Sequence, residues 1–216
     1  MKSLKSMAML IMASFVLTGC VTGTRTLENM EIPDLSMEKN ASGEIYIASV
    51  TDSRVFEQKP RSPSTPSVDG NLSSTSKDQL ATLIGRQRNG FGAAMGDVAL
   101  PEGVTVQDKM KELVAKGLES RGYVVVDDEN AENQISIDTS KFWAWFSPGF
   151  ASVSFESELQ CSIDFEHSGG EEKFDVTGYG INKGQIASNA NWELAYKRAF
   201  EDFLKNLDEV LDDSGL

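Results

Sequence analysis

The strongest pattern in the chain is an uninterrupted alternation of apolar and polar residues from position 153 to position 165. Successive side chains of a β-strand point to opposite faces, so this pattern predicts a strand with one buried face. The turn residues Gly169 and Gly170 follow, and they predict a hairpin into a further strand. The apolar parity consists of Val153, Phe155, Leu159, Ile163 and Phe165, with Ser157 and Cys161 between them.

Two other segments place apolar residues every three or four positions, which predicts amphipathic helices. The first begins at Thr105, where Asp108 completes a capping box, and Gly122 ends it. The second is capped by Ser188 or Asn189. Their predicted buried faces consist of Val106, Met110, Leu113, Gly117 and Leu118, and of Trp192, Ala195, Tyr196, Ala199, Phe203, Leu207, Val210 and Leu211.

Shorter apolar runs predict three further strands. The segment 57–80 carries Pro60, Pro63 and Pro66 among many serines, so we expect an exposed loop there. Burying both helical faces against one sheet is the simplest arrangement of these elements. The sequence therefore predicts one α+β domain at 44–216, with a mostly antiparallel sheet of about five strands and two amphipathic helices on one face. The three shorter runs lie at 44–50, 123–126 and 135–145.

The start of the chain has the three parts of a secretory leader peptide. Two lysines make its beginning positive, and residues 7–17 are uncharged and mostly apolar, a stretch too short for a permanent membrane span. The sequence LTGC at 17–20 resembles the bacterial lipobox, in which the cysteine thiol takes the lipid and the chain is cut before it. We therefore expect a leader at 1–19, lipidation of Cys20 and a flexible tether over 20–43.

The charge of the chain excludes one class of partner. Its formal net charge is −13, whereas binding nucleic acid requires basic surface that neutralises phosphates, so we expect no nucleic-acid partner. The sequence contains two cysteines, Cys20 and Cys161. If Cys20 is lipidated, Cys161 has no second thiol with which to form a disulfide within the chain. We expect the lipid to hold the protein on a membrane. Val21, which follows the lipidated cysteine, predicts the outer membrane, with the domain facing the periplasm.

From Arg121, Gly122 and Tyr123 onward, the chain resembles the YajG-type family of small outer-membrane lipoproteins. The shared layout is a lipobox, a tether, a strand, a helix ending in Ser-Arg-Gly-Tyr, a β-meander and a last helix. The chain is similar, more distantly, to LptE and to the auxiliary lipoproteins of ABC transporters. The resemblance covers roughly residues 105–210. It implies an α+β accessory domain without catalysis, and it brings no functional residue beyond the lipidated cysteine.

The sequence carries no recognisable motif for catalysis or metal binding. It contains no HExxH, no CxxC and no Walker loop. His167 is the single histidine, and it lies at the predicted hairpin turn, where a plain turn residue is the simpler interpretation. Cys161 falls on the apolar parity and is expected to be a buried small residue. We therefore expect no enzymatic activity, no cofactor and no metal ion.

The glycine-rich segment 85–96 contains Arg86 and Arg88 in an otherwise acidic protein. Guanidinium groups and bare backbone N–H groups in such a turn can bind phosphate, carboxylate or an acidic protein loop. Arg54, after the first predicted strand, is a third candidate for this role. The alternative is that these arginines pair with acidic side chains of the same chain, or that the segment is a flexible loop.

Aromatic residues at 142–150 occupy both parities, so they cannot all face one side of a sheet. Trp143 and Trp145 continue the parity of the preceding isoleucines and are expected in the core. Phe142, Phe146 and Phe150 are then expected to form an exposed partner surface. The alternative is a closed core at the end of the sheet.

These observations favour a lipid-anchored, non-enzymatic accessory lipoprotein that binds a protein partner of the cell envelope. The second hypothesis is a ligand-binding module. It would hold an anionic cell-wall or lipid fragment through Arg86 and Arg88 in the glycine-rich segment.

Overall fold

A computed structural model describes residues 23–35, 41–89, 91, 93–149, 153–184 and 187–216. These residues form eight β-strands, three α-helices and a short 3-10 helix at Leu72–Ser74. The strands are β1 (Arg25–Thr26), β2 (Glu44–Asp52), β3 (Leu83–Arg88), β4 (Ala94–Ala99), β5 (Val124–Val126), β6 (Asn133–Pro148), β7 (Val153–His167) and β8 (Gly170–Gly184). The α-helices are α1 (Lys77–Thr82), α2 (Val106–Arg121) and α3 (Asn189–Ser214).

Strand β6 is the central strand of a single mixed sheet. One of its edges pairs antiparallel with β7, and β7 pairs antiparallel with β8. The other edge is shared, because β2 pairs parallel with the first half of β6 and β3 pairs parallel with the second half. Beyond them lie β5 next to β2, and β4 and β1 next to β3.

The prediction of a mostly antiparallel, five-stranded sheet is therefore wrong, although the class α+β is right. The described sheet has eight strands, and four of its seven pairings are parallel. The largest omission is the hairpin β3–β4, which replaces the irregular segment expected at 85–96. Its strands carry Arg86, Gln87, Arg88 and Asp97, whose polar side chains bond to one another and to other segments, so the usual alternation is missing.

The two predicted amphipathic helices are confirmed, and both pack on the same face of the sheet. Thr105 caps α2 in a capping box with Asp108, and Gly122 ends the helix with a φ of 120°, a conformation that favours glycine. Ser188 caps α3. The buried core lies between these helices and the sheet. Its α3 members are Trp192, Ala195, Tyr196, Ala199, Phe200, Phe203, Leu204, Leu207 and Leu211.

A register irregularity between Thr139 and Lys141 decides which side chains of β6 meet the helices. Before it Ile135 and Ile137 face the helices, and after it Phe142 and Phe146 do so. The extra residue inverts the parity of everything that follows it. Phe142 and Phe146 are consequently 0% and 6% exposed, so the prediction that they form a partner surface is wrong.

The opposite face of β6 carries Trp143 and Trp145, which are buried as predicted. They belong to a second, smaller apolar cluster with Val68, Leu83 and Ala99. The segment 57–80 covers this cluster, since the indole Nε1 of Trp143 donates to the Pro63 carbonyl at 3.2 Å. The proline- and serine-rich segment is thus an ordered cover containing the start of α1.

The segment 23–35 lies within the expected tether, yet it packs against the domain. Strand β1 pairs parallel with β4, and Leu27 and Met30 are 0% and 5% exposed in the main core. The folded unit therefore begins well before residue 44. Within the described ranges, no helix combines the length and the apolar character needed to cross a membrane.

Cys161 is buried on the helix-facing side of β7, as predicted. Burial, with Asp175 and Asp138 nearby, raises the pKa of its thiol to about 12. Because the thiolate is the reactive form, we expect the native domain to resist alkylation at Cys161.

The thermal midpoints of the domain with and without reductant should coincide, because the buried thiol of Cys161 forms no disulfide. A difference of several degrees would instead indicate a disulfide between chains.

Candidate functional site

Arg54 has a structural position that the sequence did not reveal. Its side chain is 0% exposed and forms a bidentate ion pair with Asp52, with both N···O distances 2.7 Å. Its guanidinium also donates to the carbonyls of Leu83 at 2.6 Å, Phe142 at 3.1 Å and Leu80 at 2.9 Å. The Arg54 guanidinium thus bonds to backbone carbonyls at the point along β6 where the pairing with β2 ends and the pairing with β3 begins. Arg54 is therefore not available to a ligand, and its assignment as a binding residue is wrong.

Arg86 lies on β3 and is held by two carboxylates. Its Nη1 donates to Asp97 at 2.6 Å, and its Nη2 donates to Asp69 at 2.8 Å. Asp97 is buried, which raises the pKa of its carboxyl, while the bonds from the Asp69 backbone N–H and from Arg86 lower that pKa. Among the described residues, the buried Nε of Arg86 has no hydrogen-bond partner. Pairing within the chain, which was the predicted alternative, thus accounts for Nη1 and Nη2 of Arg86 but not for its Nε.

Arg86 and Arg88 nevertheless meet in one cleft, together with Lys59 from the segment 57–80. We call this the basic cleft, and its volume is about 690 Å³. Three of its described lining side chains are cations and one, Asp69, is an anion. The remaining lining residues are Pro60, Ser67, Val68, Gly70, Asn71, Ala93 and Ala94.

The electrostatics of the basic cleft favour an anion. Desolvation by burial, followed by repulsion from Arg86, lowers the pKa of the Arg88 guanidinium from its usual value. Both effects disfavour the positively charged form of Arg88. An anionic group in the cleft would offset the repulsion and stabilise the charged form of both guanidinium groups.

Lys59 is the member of the cleft that sequence reasoning missed. It is exposed and has a φ of 52°, which is uncommon for a residue other than glycine. Its distance in sequence from Arg86 hides the contact, because the segment 57–80 reaches the hairpin only by folding back over Trp143. A lysine among prolines and serines gives no sequence signal of its own.

The tip of the β3–β4 hairpin adjoins the cleft. The side-chain oxygen of Asn89 accepts from the backbone N–H groups of Phe91 and Ala93, both at 3.0 Å. The Asn89 N–H donates to the Ala93 carbonyl at 2.9 Å. The side chain of Phe91 is 99% exposed.

A second cleft, of about 490 Å³, lies between the segment 27–31 and α2. Its charged lining is mostly acidic, with Glu28, Glu31, Asp108 and Glu112 around Lys109. Lys109 is already paired with Glu112 at 2.7 Å. This cleft would repel an anion, so the basic cleft is the better candidate.

The remaining predicted residues contribute no chemistry to this site. His167 accepts at Nδ1 from the Gly169 N–H at 3.1 Å and packs against the ring of Phe165. In the part of the chain that the structure describes, no group of three His, Cys, Asp or Glu residues could hold a metal ion. Cys20 and Phe150 lie outside the described residues.

Two solved structures illustrate what the chain is similar to. Protein XCC0632 from Xanthomonas campestris, of the family DUF330, is 12% identical, with a TM-score of 0.45 over 89% of this chain and 99% of that one. The hypothetical protein CT253 from Chlamydia trachomatis is 8% identical, with a TM-score of 0.38 over 80% and 96% of the two chains. No curated protein matches the sequence.

A family profile described as "Uncharacterized lipoprotein" matches residues 87–212. The matched region runs from the end of β3 through α2 and the β6–β8 meander to the last turn of α3. It covers more than half of the 216 residues, so the chain belongs to this family of uncharacterized lipoproteins.

Proposed function

We propose that the protein is a non-enzymatic lipoprotein whose folded domain binds an anionic group in the basic cleft. The observation that carries this proposal is the convergence of Lys59, Arg86 and Arg88 in one cleft of a protein with a net charge of −13. Cations in an acidic protein are ordinarily dispersed among carboxylates. Here the three cations meet only two carboxylates of the described residues, those of Asp69 and Asp97, which both pair with Arg86. The cleft therefore keeps an excess of positive charge that gives an anion a place to bind.

The chemistry of the cleft suits phosphate or carboxylate. Arg86 is oriented by Asp97 and Asp69, so its fork stays fixed, and Arg88 and Lys59 line the same cleft. A fixed guanidinium loses little conformational entropy on binding. This arrangement favours the anionic cell-wall or lipid fragment of the second sequence hypothesis. The first hypothesis loses support because Phe142 and Phe146, on which it relied, are buried.

We further propose that the protein is lipidated on Cys20 and faces the periplasm from the outer membrane. The lipobox-like sequence at 17–20 and membership of a lipoprotein family support the lipid anchor. Val21 supports outer-membrane sorting, and so does the resemblance to the YajG-type lipoproteins. Fractionation at native expression tests the sorting, and recovery mainly with the inner membrane would contradict it.

The variant Cys20→Ala should fail to incorporate labelled palmitate. No other cysteine lies at a cleavage site, and the thiol of Cys161 is buried. The variant should also leave the membrane fraction, since the acyl chains provide about 0.8 kcal/mol per buried methylene. Thr18→Ala, which keeps a small residue within the lipobox, is the matched control and should be lipidated normally. Palmitate uptake by Cys20→Ala would refute the anchor.

The variants Arg88→Gln and Lys59→Gln should each weaken anion binding by about tenfold or more, because a charge-assisted hydrogen bond contributes roughly 1.5–3 kcal/mol. Titration calorimetry of the purified protein would use glycerol 3-phosphate for a lipid fragment and N-acetylmuramic acid for a cell-wall fragment. The affinity should fall as salt is added. Lys173→Gln, an exposed lysine on β8, is the matched control. Equal affinities in all three variants would contradict the proposal.

A protein partner is a second candidate, favoured by a different surface. Tyr179 and Ile181 on the outward side of β8 are 45% and 37% exposed, and the Tyr179 hydroxyl donates to Glu156 at 2.7 Å. Photo-crosslinking residues at position 181 and at position 94, which lines the basic cleft without carrying a charge, separate the two functions. A discrete protein adduct at 181 alone would favour the partner, and a small-molecule adduct at 94 would favour the ligand.

A further inference from the structure

We infer that the tip of the β3–β4 hairpin lies on the membrane, with Phe91 in the lipid interface and the basic cleft turned toward anionic headgroups. The inference rests on the lipid anchor at Cys20 in the proposed function. It adds the orientation of the domain and a second point of membrane contact. Both follow from the position of Gly23 and β1 beside the β3–β4 hairpin.

Gly23, at the start of the described residues, is fixed beside the hairpin. The Gln87 side chain donates to the Gly23 carbonyl at 3.0 Å. A methyl group added at Gly96 would lie only 2.2 Å from the same carbonyl oxygen, so this close approach requires glycine at position 96. Two residues later, Arg25 donates to Gln87 at 3.1 Å. The chain is therefore held on the hairpin from Gly23 onward.

The direction of β1 identifies which end of the sheet this is. β1 runs parallel to β4, with Arg25 opposite Val98, so Gly23 lies toward Ala94, where β4 leaves the hairpin tip. Three peptide steps separate Gly23 from Cys20. Since consecutive Cα atoms are about 3.8 Å apart, a chain of three steps can span at most roughly 11 Å. A lipid on Cys20 therefore brings the bilayer close to the tip, without the long tether that the sequence predicted.

The tip has the properties of a membrane-contacting element. Phe91 is the most exposed of the large apolar side chains described, and its backbone N–H donates to the side chain of Asn89. An aromatic ring at the headgroup level buries apolar area without requiring insertion of the backbone. One exposed phenylalanine would be ordinary elsewhere on a surface. Here the phenylalanine lies beside the end of the chain that carries the lipid, so the membrane is the surface that it would contact.

Charge is distributed to match this orientation. Arg88 and Lys59 line the cleft next to Ala93 and Ala94 of the tip, so the cleft lies at the same end of the sheet. The opposite end is the β7–β8 turn, at a distance of roughly 45 Å along the 15 residues of β7. That end exposes Glu166, Glu171 and Glu172. A negatively charged surface would attract the tip and repel the turn.

Depth-dependent quenching on the lipidated full-length protein tests this orientation. Phe91→Cys and the matched control Ser168→Cys, in the exposed β7–β8 turn, each add one accessible thiol for an environment-sensitive fluorophore. Cys20 is consumed by lipid and Cys161 is buried, so labelling is selective. The vesicles contain phosphatidylethanolamine and phosphatidylglycerol with a trace of a headgroup-proximal nitroxide lipid. Flotation of the vesicles first separates bound from unbound protein.

The label at position 91 should be quenched several-fold more strongly than the label at 168. Replacing phosphatidylglycerol by phosphatidylcholine should reduce that difference, because the headgroup attraction is lost. Flotation with equal quenching at both positions, or with stronger quenching at 168, would overturn the orientation and leave the anchor standing. Failure to float would overturn the anchor and, with it, the orientation.

Discussion

Alanine at Phe142 and alanine at Trp143 should each lower the free energy of unfolding by about 3–5 kcal/mol, although the two side chains lie on opposite faces of β6. Phe142 stacks on Tyr196 with ring centroids 5.3 Å apart, within the main core. Trp143 meets Phe56 edge to face at 5.8 Å and donates to Pro63. Either truncation leaves a cavity among buried neighbours.

Urea denaturation of each variant measures these losses. Lys173→Ala, an exposed position on β8, controls for substitution in the sheet and should change stability by less than about 0.5 kcal/mol. Near-native stability of Trp143→Ala would show that the segment 57–80 does not close over β6. Near-native stability of Phe142→Ala would contradict the register irregularity after Thr139.

Arg54→Met should cost about 3–5 kcal/mol, because it removes one partner of a buried ion pair. The change leaves the Asp52 carboxylate without its counterion and the carbonyls of Leu83 and Phe142 without this donor. Anion binding in the basic cleft should persist in the variant under conditions where it stays folded. Arg54→Met should therefore lower the stability of the domain without lowering its affinity for the anion.

The matched control is Arg61→Met, an exposed arginine in the segment 57–80. Its thermal midpoint should remain close to that of the parent protein. If Arg54→Met were as stable as this control but had lost anion binding, Arg54 would be a ligand-binding residue after all.

The parts of the fold that sequence predicted well are those with local signals. The α2 capping box needs only Thr105 and Asp108, and the alternation in β7 needs only its own residues. Both can be recognised without knowing what packs against them. The burial of Cys161 followed from the same alternation.

The parts that failed depend on partners distant in sequence. Strands β3 and β4 are stabilised by pairing with each other and with β6, while Arg86 and Asp97 occupy positions where apolar residues usually alternate. The extra residue after Thr139 changes the parity of β6 without a glycine or proline to mark it. Parallel pairing of β2 with β6 likewise leaves no local signature.

The candidate site shows the same division. Arg86 and Arg88 could be proposed because two arginines in a glycine-rich segment are conspicuous in an acidic chain. Arg54 looked equivalent in sequence, but its burial places it among backbone carbonyls. Lys59 could not be proposed, because only the folded segment 57–80 brings it to the hairpin.

Mass spectrometry of the N-terminal peptide, isolated from the envelope at native expression, tests the lipid anchor. We expect the mature chain to begin at Cys20, with a diacylglycerol thioether on its sulfur. The domain would then be held within a few residues of the bilayer, because Gly23 is already fixed on β4. A mature chain that begins elsewhere, or that carries Cys20 as a free thiol, would contradict the lipid anchor and the membrane-facing orientation of the basic cleft.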